Sequence, residues 1–301
     1  MRRAQFPEPE PNMSPRMMRI AFMAPALVVL ATFFVYPILL TFYYSFTDFK
    51  GVGTAAFTGL DNYDRIISRS RYVDALKVTI LFTVIVVTLQ TLAGLFIATM
   101  LQRLPAVRNF ARAALFTPAM MSFVIVGYVW QFIYSPYNGG LNALLEFIGL
   151  GELGRGWLGD PDTALIAIAI AHVWMFTGYT TAIFLAGYAN IPSEIEEAGR
   201  LDGAKSWQRF WHLELPLLAP SVTINVMLST IGTLKTFELP FIMTRGGPDG
   251  ATRTLSLEII DNLFRSYKFG FASALSIVML IIVIAVAYVQ NRYLRGREDR
   301  T

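Results

Sequence analysis

The sequence predicts an all-α membrane protein with six transmembrane helices, and three observations carry that prediction. Of the 301 residues, 54% are hydrophobic and 15% charged, against about 45–50% and about 25% in soluble domains. Six apolar stretches are long enough to cross a hydrocarbon core about 30 Å thick, which takes roughly 20 helical residues. These runs are too long and too uniformly apolar for the strands of a barrel.

The composition also excludes several functions. The apolar content rules out global disorder. The chain has no Cys, which removes disulfide frameworks, thiol catalysis and cysteine-based metal sites. Only two His, His172 and His212, are present, too few for a His-rich metal site. The net charge of +4 is too small and too scattered to argue for nucleic acid.

The six spans fall at residues 20–44, 78–100, 113–134, 163–188, 222–243 and 271–289. Four contain no Asp, Glu, Lys, Arg or His, while the fourth holds His172 and the fifth holds Lys235 and Glu238. Pro25, Pro37, Pro118 and Pro240 lie inside these runs, which bundles tolerate when neighbours satisfy the freed carbonyls. Residues 1–19, with Pro7, Pro9, Pro11 and Pro15, read as a tail with little regular order. The run behind it is longer than a signal-peptide h-region and shows no clear small-x-small cleavage site, so it reads as a first membrane helix. Residues 20–290 form the bundle, and 291–301 a second tail.

Orientation follows from Lys and Arg. The tails and the second and fourth loops carry 14, against 10 in the other loops. The short second loop has Arg103, Arg108 and Arg112 and no acid, whereas the third loop has Arg155 against Glu146, Glu152, Asp160 and Asp162. Both termini are therefore expected in the cytoplasm.

The fourth loop, 189–221, departs from this pattern, with five acids against three bases; a loop resting on anionic headgroups should be basic. It also reads as structured. Ser193 and Glu196 have capping-box spacing after Pro192. Asp202-Gly203 reads as a helix stop with a left-handed residue. A second short helix is expected from a Ser206 cap, with Trp207, Phe210 and Trp211 on one face, ending at Leu215-Pro216. Two readings stand open on physics alone: a docking element for another protein, and an amphipathic pair lying under the bilayer with Trp at headgroup level.

The residues themselves resemble a known family. Glu197-Ala198-Gly199-Arg200-Leu201-Asp202-Gly203-Ala204, then eight intervening residues and Leu213-Glu214-Leu215-Pro216, resembles the EAA loop of permease subunits in binding-protein-dependent ABC importers. Gly199 departs from the second Ala of that pattern and is expected to loosen the helix by about 0.5–1 kcal/mol. Thr244-Arg245-Gly246-Gly247-Pro248 and Gly59-Leu60-Asp61-Asn62-Tyr63 are similar to the T-x-G-G-P and G-L-x-N-Y signatures of sugar-type permeases, the maltose kind among them. Each alone would be an ordinary Gly-containing turn.

The resemblance implies a type I (MetI-like) importer fold in a bacterial plasma membrane. It implies a second, homologous permease subunit, two ATP-binding subunits carrying ATP and Mg, and an extracytoplasmic solute-binding protein. It implies a coupling role for Glu197, Ala198, Gly199, Asp202, Gly203, Ala204, Leu215 and Pro216, with alternating access driven by a rigid-body motion. The chain itself is expected to bind no cofactor. Its nearest approach to a P-loop, 199–206, has the wrong spacing and follows a helix rather than a strand.

Polar residues inside the spans mark a candidate solute path. Asn225, Ser229, Thr233 and Thr236 recur at i, i+4, i+8 and i+11, one face of a helix. They suit either a hydroxyl-rich solute or interhelical bonding at about 0.6 kcal/mol per bond. Trp174, Phe176 and Tyr179 match a stretch that helps form the sugar site in maltose-type relatives, although packing or lipid-facing aromatics are the commoner case. Lys235 and Glu238, at i and i+3, are expected to pair. His172 is expected to be a hydrogen-bonded bundle residue. The function expected is ATP-driven import of a carbohydrate or similar polyol. The alternative is an ion-coupled secondary transporter, which would want an internal repeat and midplane ion sites. A membrane-embedded enzyme lacks any catalytic constellation in the spans.

Overall fold

The computed structural model describes residues 15–104 and 108–298. It is all helical apart from one isolated bridge between Thr47 and Phe57. Among the described residues, four helices are long and apolar enough to cross a membrane, and up to six spans result if each of two bent pairs counts as one. Most of the predicted first tail, residues 1–14, lies outside the described residues.

The first span consists of α1 (Pro15–Leu30), a π-helical turn (Ala31–Val35) and α2 (Tyr36–Tyr44). No residue of its most apolar window is fully buried, although α2 packs against the last long helix of the chain. The G-L-x-N-Y stretch explains how the first span ends. Gly59 takes φ +62°, and Asn62, buried in α3 (Asp61–Ser68), donates from Nδ2 to the carbonyls of Ser45 and Thr47 at 3.0 and 2.8 Å. Tyr63 donates to Ser45 Oγ at 2.7 Å. These bonds satisfy orphan groups at a helix exit.

α4 (Ser70–Arg103) is the longest helix, at 34 residues. The third span is broken. α5 (Arg108–Phe116) leads through a 3₁₀ turn (Pro118–Met120) into α6 (Phe123–Ile133), with a bend of 99°. Pro118 cannot donate to the preceding turn, and Ser122 restarts the helix by accepting from the Val124 N–H at 3.1 Å. α7 (Gly140–Phe147) precedes α8 (Pro161–Ala189), which starts with Pro at its first position behind an Asp160 cap.

Then come α9 (Ser193–Leu201), α10 (Ser206–Arg209), a π turn (Phe210–Glu214), α11 (Leu215–Leu217) and α12 (Ala219–Leu234). α13 (Glu238–Thr244), α14 (Leu255–Ile260), a π turn (Asp261–Arg265) and α15 (Phe269–Glu298) close the chain. α15 runs well into the predicted second tail.

α4 and α8 form the spine of the bundle. Phe82, Val86, Ile168 and Met175 pack with Val126, Leu239 and Met243 in one apolar cluster. Small residues bring the backbones close: a Cβ on Gly178 would overlap the Leu115 carbonyl, and one on Gly94 would overlap Thr180. Close approach of this kind is what membrane bundles use in place of a hydrophobic drive.

Candidate functional site: a cavity where two spans are interrupted

The predicted fifth span, 222–243, is not one helix. α12 alone covers about 24 Å, short of a hydrocarbon core of about 30 Å, and the helix is interrupted at residues 235–237 before α13 continues it. The cause lies in the sequence. Pro240 has no N–H for the Thr236 carbonyl four residues back; Thr254 Oγ1 donates to that carbonyl instead, at 3.1 Å. Ser256 Oγ donates to the Leu234 carbonyl at 3.3 Å. The break is thus built in and satisfied by hydroxyls from the cap and first turn of α14.

Irregular backbone at membrane depth is tolerated where it is buried in protein or lines a cavity, and here it lines one. A cavity of about 480 Å³ is bounded by Ala119 and Phe123 from the break in the third span and by Lys235, Thr236 and Glu238 from the break in the fifth. Phe176 and Tyr179 of α8 and Ser229 and Thr233 of α12 complete the part of the wall that the sequence singled out.

Two predicted path residues lie elsewhere. Trp174 points away and packs edge-on against Trp130. Asn225 is fully buried and donates to Thr91 Oγ1 at 2.9 Å, so it joins α12 to α4. Lys235 and Glu238 do not pair: with the helix interrupted between them, i,i+3 neighbours lose their shared face. No ion pair joins them among the described residues, and the Glu238 carboxylate accepts from the Phe237 N–H at 3.1 Å.

The wall chemistry is directional. Thr233 and Thr236 spend their hydroxyl protons on the carbonyls of Ser229 and Gly232, at 2.6 and 3.2 Å. Each oxygen therefore keeps lone pairs for an outside donor. The sequence reading missed Gln90, which lies in the second span and is 3% exposed. Its amide donates to Thr180 and Ser229, at 2.8 and 3.1 Å, and its Oε1 is buried without a partner. His172 was expected to be hydrogen-bonded; instead its Nδ1 has no partner, and the ring lies against Phe176 at 4.8 Å in the cavity wall. The signal for Gln90 was its polarity in mid-span, but the sequence reading followed the polar residues that recur along one face of the fifth span.

The 189–221 segment forms a helical hairpin at one end of the bundle. Ser193 is the first residue of α9 and makes no cap, and Lys205 rather than Ser206 occupies the cap position of α10, so both predicted caps shift by one. The predicted stop is present: Gly203 takes φ +74°, and the Ala204 N–H donates to the Gly199 carbonyl at 3.0 Å. Glu197, Ala198, Asp202 and Gly203 are exposed together, with Leu201 beside them at 88% exposure. Leu215 and Pro216 carry the chain into a 65° bend ahead of α12.

Gly199 does more than loosen α9. It is buried, and a Cβ there would come within 2.7 Å of Leu213 Cδ1 and 3.3 Å of Arg209 Cδ. Gly199→Ala is therefore expected to destabilise the hairpin by no more than about 1 kcal/mol, because the crowded atoms belong to flexible side chains and the helix propensity of Ala offsets part of the overpacking. Proteolysis of the 189–221 segment checks this; equal protection would show that the neighbours give way freely.

Interrupted helices around a cavity are a recurring feature of membrane transport proteins. Residues 90–299 match the family of binding-protein-dependent transport system inner membrane components, and the chain belongs to that family: it is a multi-pass, non-catalytic permease subunit of an ABC importer. It is 33% identical over 276 residues to the trehalose/maltose transport system permease protein MalF of Thermococcus litoralis, covering 91% of this chain and 92% of that one. It is 34% identical over 282 residues to the lactose transport system permease protein LacF of Rhizobium radiobacter, covering 92% and 94%. A crystal structure of a bacterial ABC transporter that imports the acidic polysaccharide alginate matches the fold with a TM-score of 0.80 at 19% identity, covering 93% of this chain and 96% of that one. Family membership answers the choice between an ATP-driven importer and an ion-coupled transporter in favour of the first.

Proposed function

We propose that this permease subunit moves a carbohydrate or related polyol, paired in the membrane with a second, homologous permease. The observation that carries the reading is the cavity wall. Acceptor oxygens of Thr233 and Thr236, and aromatic faces of Phe176 and Tyr179, suit a solute that offers many O–H donors and flat apolar ring faces. The sugar-named relatives agree with it. In this reading both termini and the 189–221 hairpin face the cytoplasm. The exposed surface of Glu197, Ala198, Asp202 and Gly203 meets an ATP-binding subunit. Lys235 and Glu238 stand on the cavity wall as separate charges rather than as a structural pair.

The test is uptake into proteoliposomes holding the whole transporter, with its binding protein supplied outside. Trehalose, maltose and lactose are offered as probes, and an amino acid as the control. Ser229→Ala with Thr233→Leu is expected to raise the KM for sugar uptake about tenfold through the loss of one or two hydrogen bonds, while the complex still assembles. Unchanged uptake would mean that this polar face only holds helices together. Transport of the amino acid but of no sugar would overturn the solute class.

A further inference from the structure

At the foot of the bundle the hairpin turns back into the membrane through Glu214, the residue between Leu213 and Leu215. A carboxylate is a costly side chain to bury, yet Glu214 is 7% exposed. It closes the π turn Phe210–Glu214, a local distortion that recurs at functional positions. Its Oε2 accepts from the hydroxyl of Tyr188 at 3.1 Å. Tyr188 is 3% exposed and lies one residue before the end of α8. The tyrosine oxygen is also 2.8 Å from Thr99 Oγ1 of α4. Thr99 Oγ1 also lies 2.8 Å from the Leu95 carbonyl, so two hydroxyl protons serve three contacts: with the Tyr188 proton on the carboxylate, Thr99 donates to Tyr188 by releasing Leu95. Ala98, Leu101, Phe184 and Leu218 seal the chain of bonds in an apolar cluster.

We propose that Glu214 is a positioning residue for transport. Its carboxylate, through Tyr188 and Thr99, fixes the hairpin to α8 and α4, the two helices that carry His172, Phe176, Tyr179 and Gln90 to the cavity. Tyr188 lies nine residues beyond Tyr179, and Thr99 nine beyond Gln90, about 13.5 Å of helix in each case. The Gln90–Thr180 bond at 2.8 Å ties the same two helices a second time at cavity depth. The backbone already joins the hairpin to α8 and α12; the buried contact braces it against the last turn of α8 and extends a movement imposed on it to α4. The proposal rests on the reading of residues 189–221 as the segment that meets the ATP-binding subunit.

The experiment uses the whole reconstituted transporter and reads solute moved per ATP hydrolysed. Glu214→Leu and Tyr188→Phe are each expected to lower that ratio about fivefold, the net worth of one hydrogen bond, while basal hydrolysis and assembly stay unchanged. Glu214→Gln keeps an acceptor oxygen for Tyr188 and is expected to restore most of the ratio. The double variant Glu214→Leu/Tyr188→Phe is expected to be no worse than either single, because both remove one contact. A wild-type ratio in Glu214→Leu, or additive losses in the double variant, would overturn the proposal. A cysteine at Glu197, cross-linked to the ATP-binding subunit, separates the two claims. If that cross-link is absent in an otherwise unaltered chain, the docking reading fails; if it forms equally in all variants, only the Glu214 contact is under test.

Discussion

Replacing Gly203 by Pro is expected to abolish transport while leaving the six-span bundle folded. The residue takes φ +74°, and Pro is locked near −65°. The substitution also removes the N–H that donates to the Arg200 carbonyl at 3.1 Å. The turn between α9 and α10 must then be rebuilt, and the exposed surface that it orients is lost with it. Nothing in the bundle core depends on this turn, since space beside Gly203 is open. Gly203→Asn is the control, because Asn tolerates the left-handed region and should retain most activity. The measurements are uptake and binding-protein-stimulated ATP hydrolysis in the reconstituted transporter. Stimulated hydrolysis that survives the Pro substitution would contradict a docking role for the hairpin.

Loss of Glu258 should produce the largest fall in stability. Its carboxylate is fully buried, 2.7 Å from Arg71 Nε and 3.4 Å from Arg253 Nε. Arg253 in turn reaches Asp261 at 2.9 Å. This cluster joins the start of α4 to α14, and the cap and first turn of α14 supply the hydroxyls that satisfy the broken fifth span. Glu258→Ala leaves Arg253, a partly buried cation, without one of its two acids. Because Arg253 keeps Asp261 and Arg71 is exposed, no buried charge is orphaned, and the loss of the charged hydrogen bond is expected to cost about 1.5–3 kcal/mol. Arg71→Ala should cost much less, because the Arg71 side chain is 55% exposed and Glu258 keeps Arg253. Thermal unfolding of the solubilised complex reads the difference; equal losses from the two substitutions would show that Glu258 contributes no more than a surface pair.

The spans were legible because a bilayer imposes a length and a polarity that any helix must meet, and the stretches 78–100 and 163–188 lie wholly inside α4 and α8. The EAA-like hairpin was legible because Gly203 sits where only a left-handed turn fits. The cavity was legible only in part. Helical spacing put Asn225 and Thr233 on one face and so treated them alike, but only Thr233 reaches the cavity; Asn225 is taken up by Thr91 on another helix. The same spacing paired Lys235 with Glu238 across a helix that Pro240 interrupts.

What the sequence determined by itself is local: where the chain is apolar enough to cross a membrane, where Pro forbids a continuous helix, and which motif turns need Gly. Those follow from transfer free energy and backbone sterics, which act residue by residue. Tertiary structure decided which polar side chains face the cavity, that Gln90 and His172 belong to it, that Gly199 is small because Leu213 leans on it, and that Glu214 is buried beneath Tyr188. Each of these depends on a neighbour far away in the chain, and hydrogen bonding and close packing are set by that neighbour's position, not by the residue's own type.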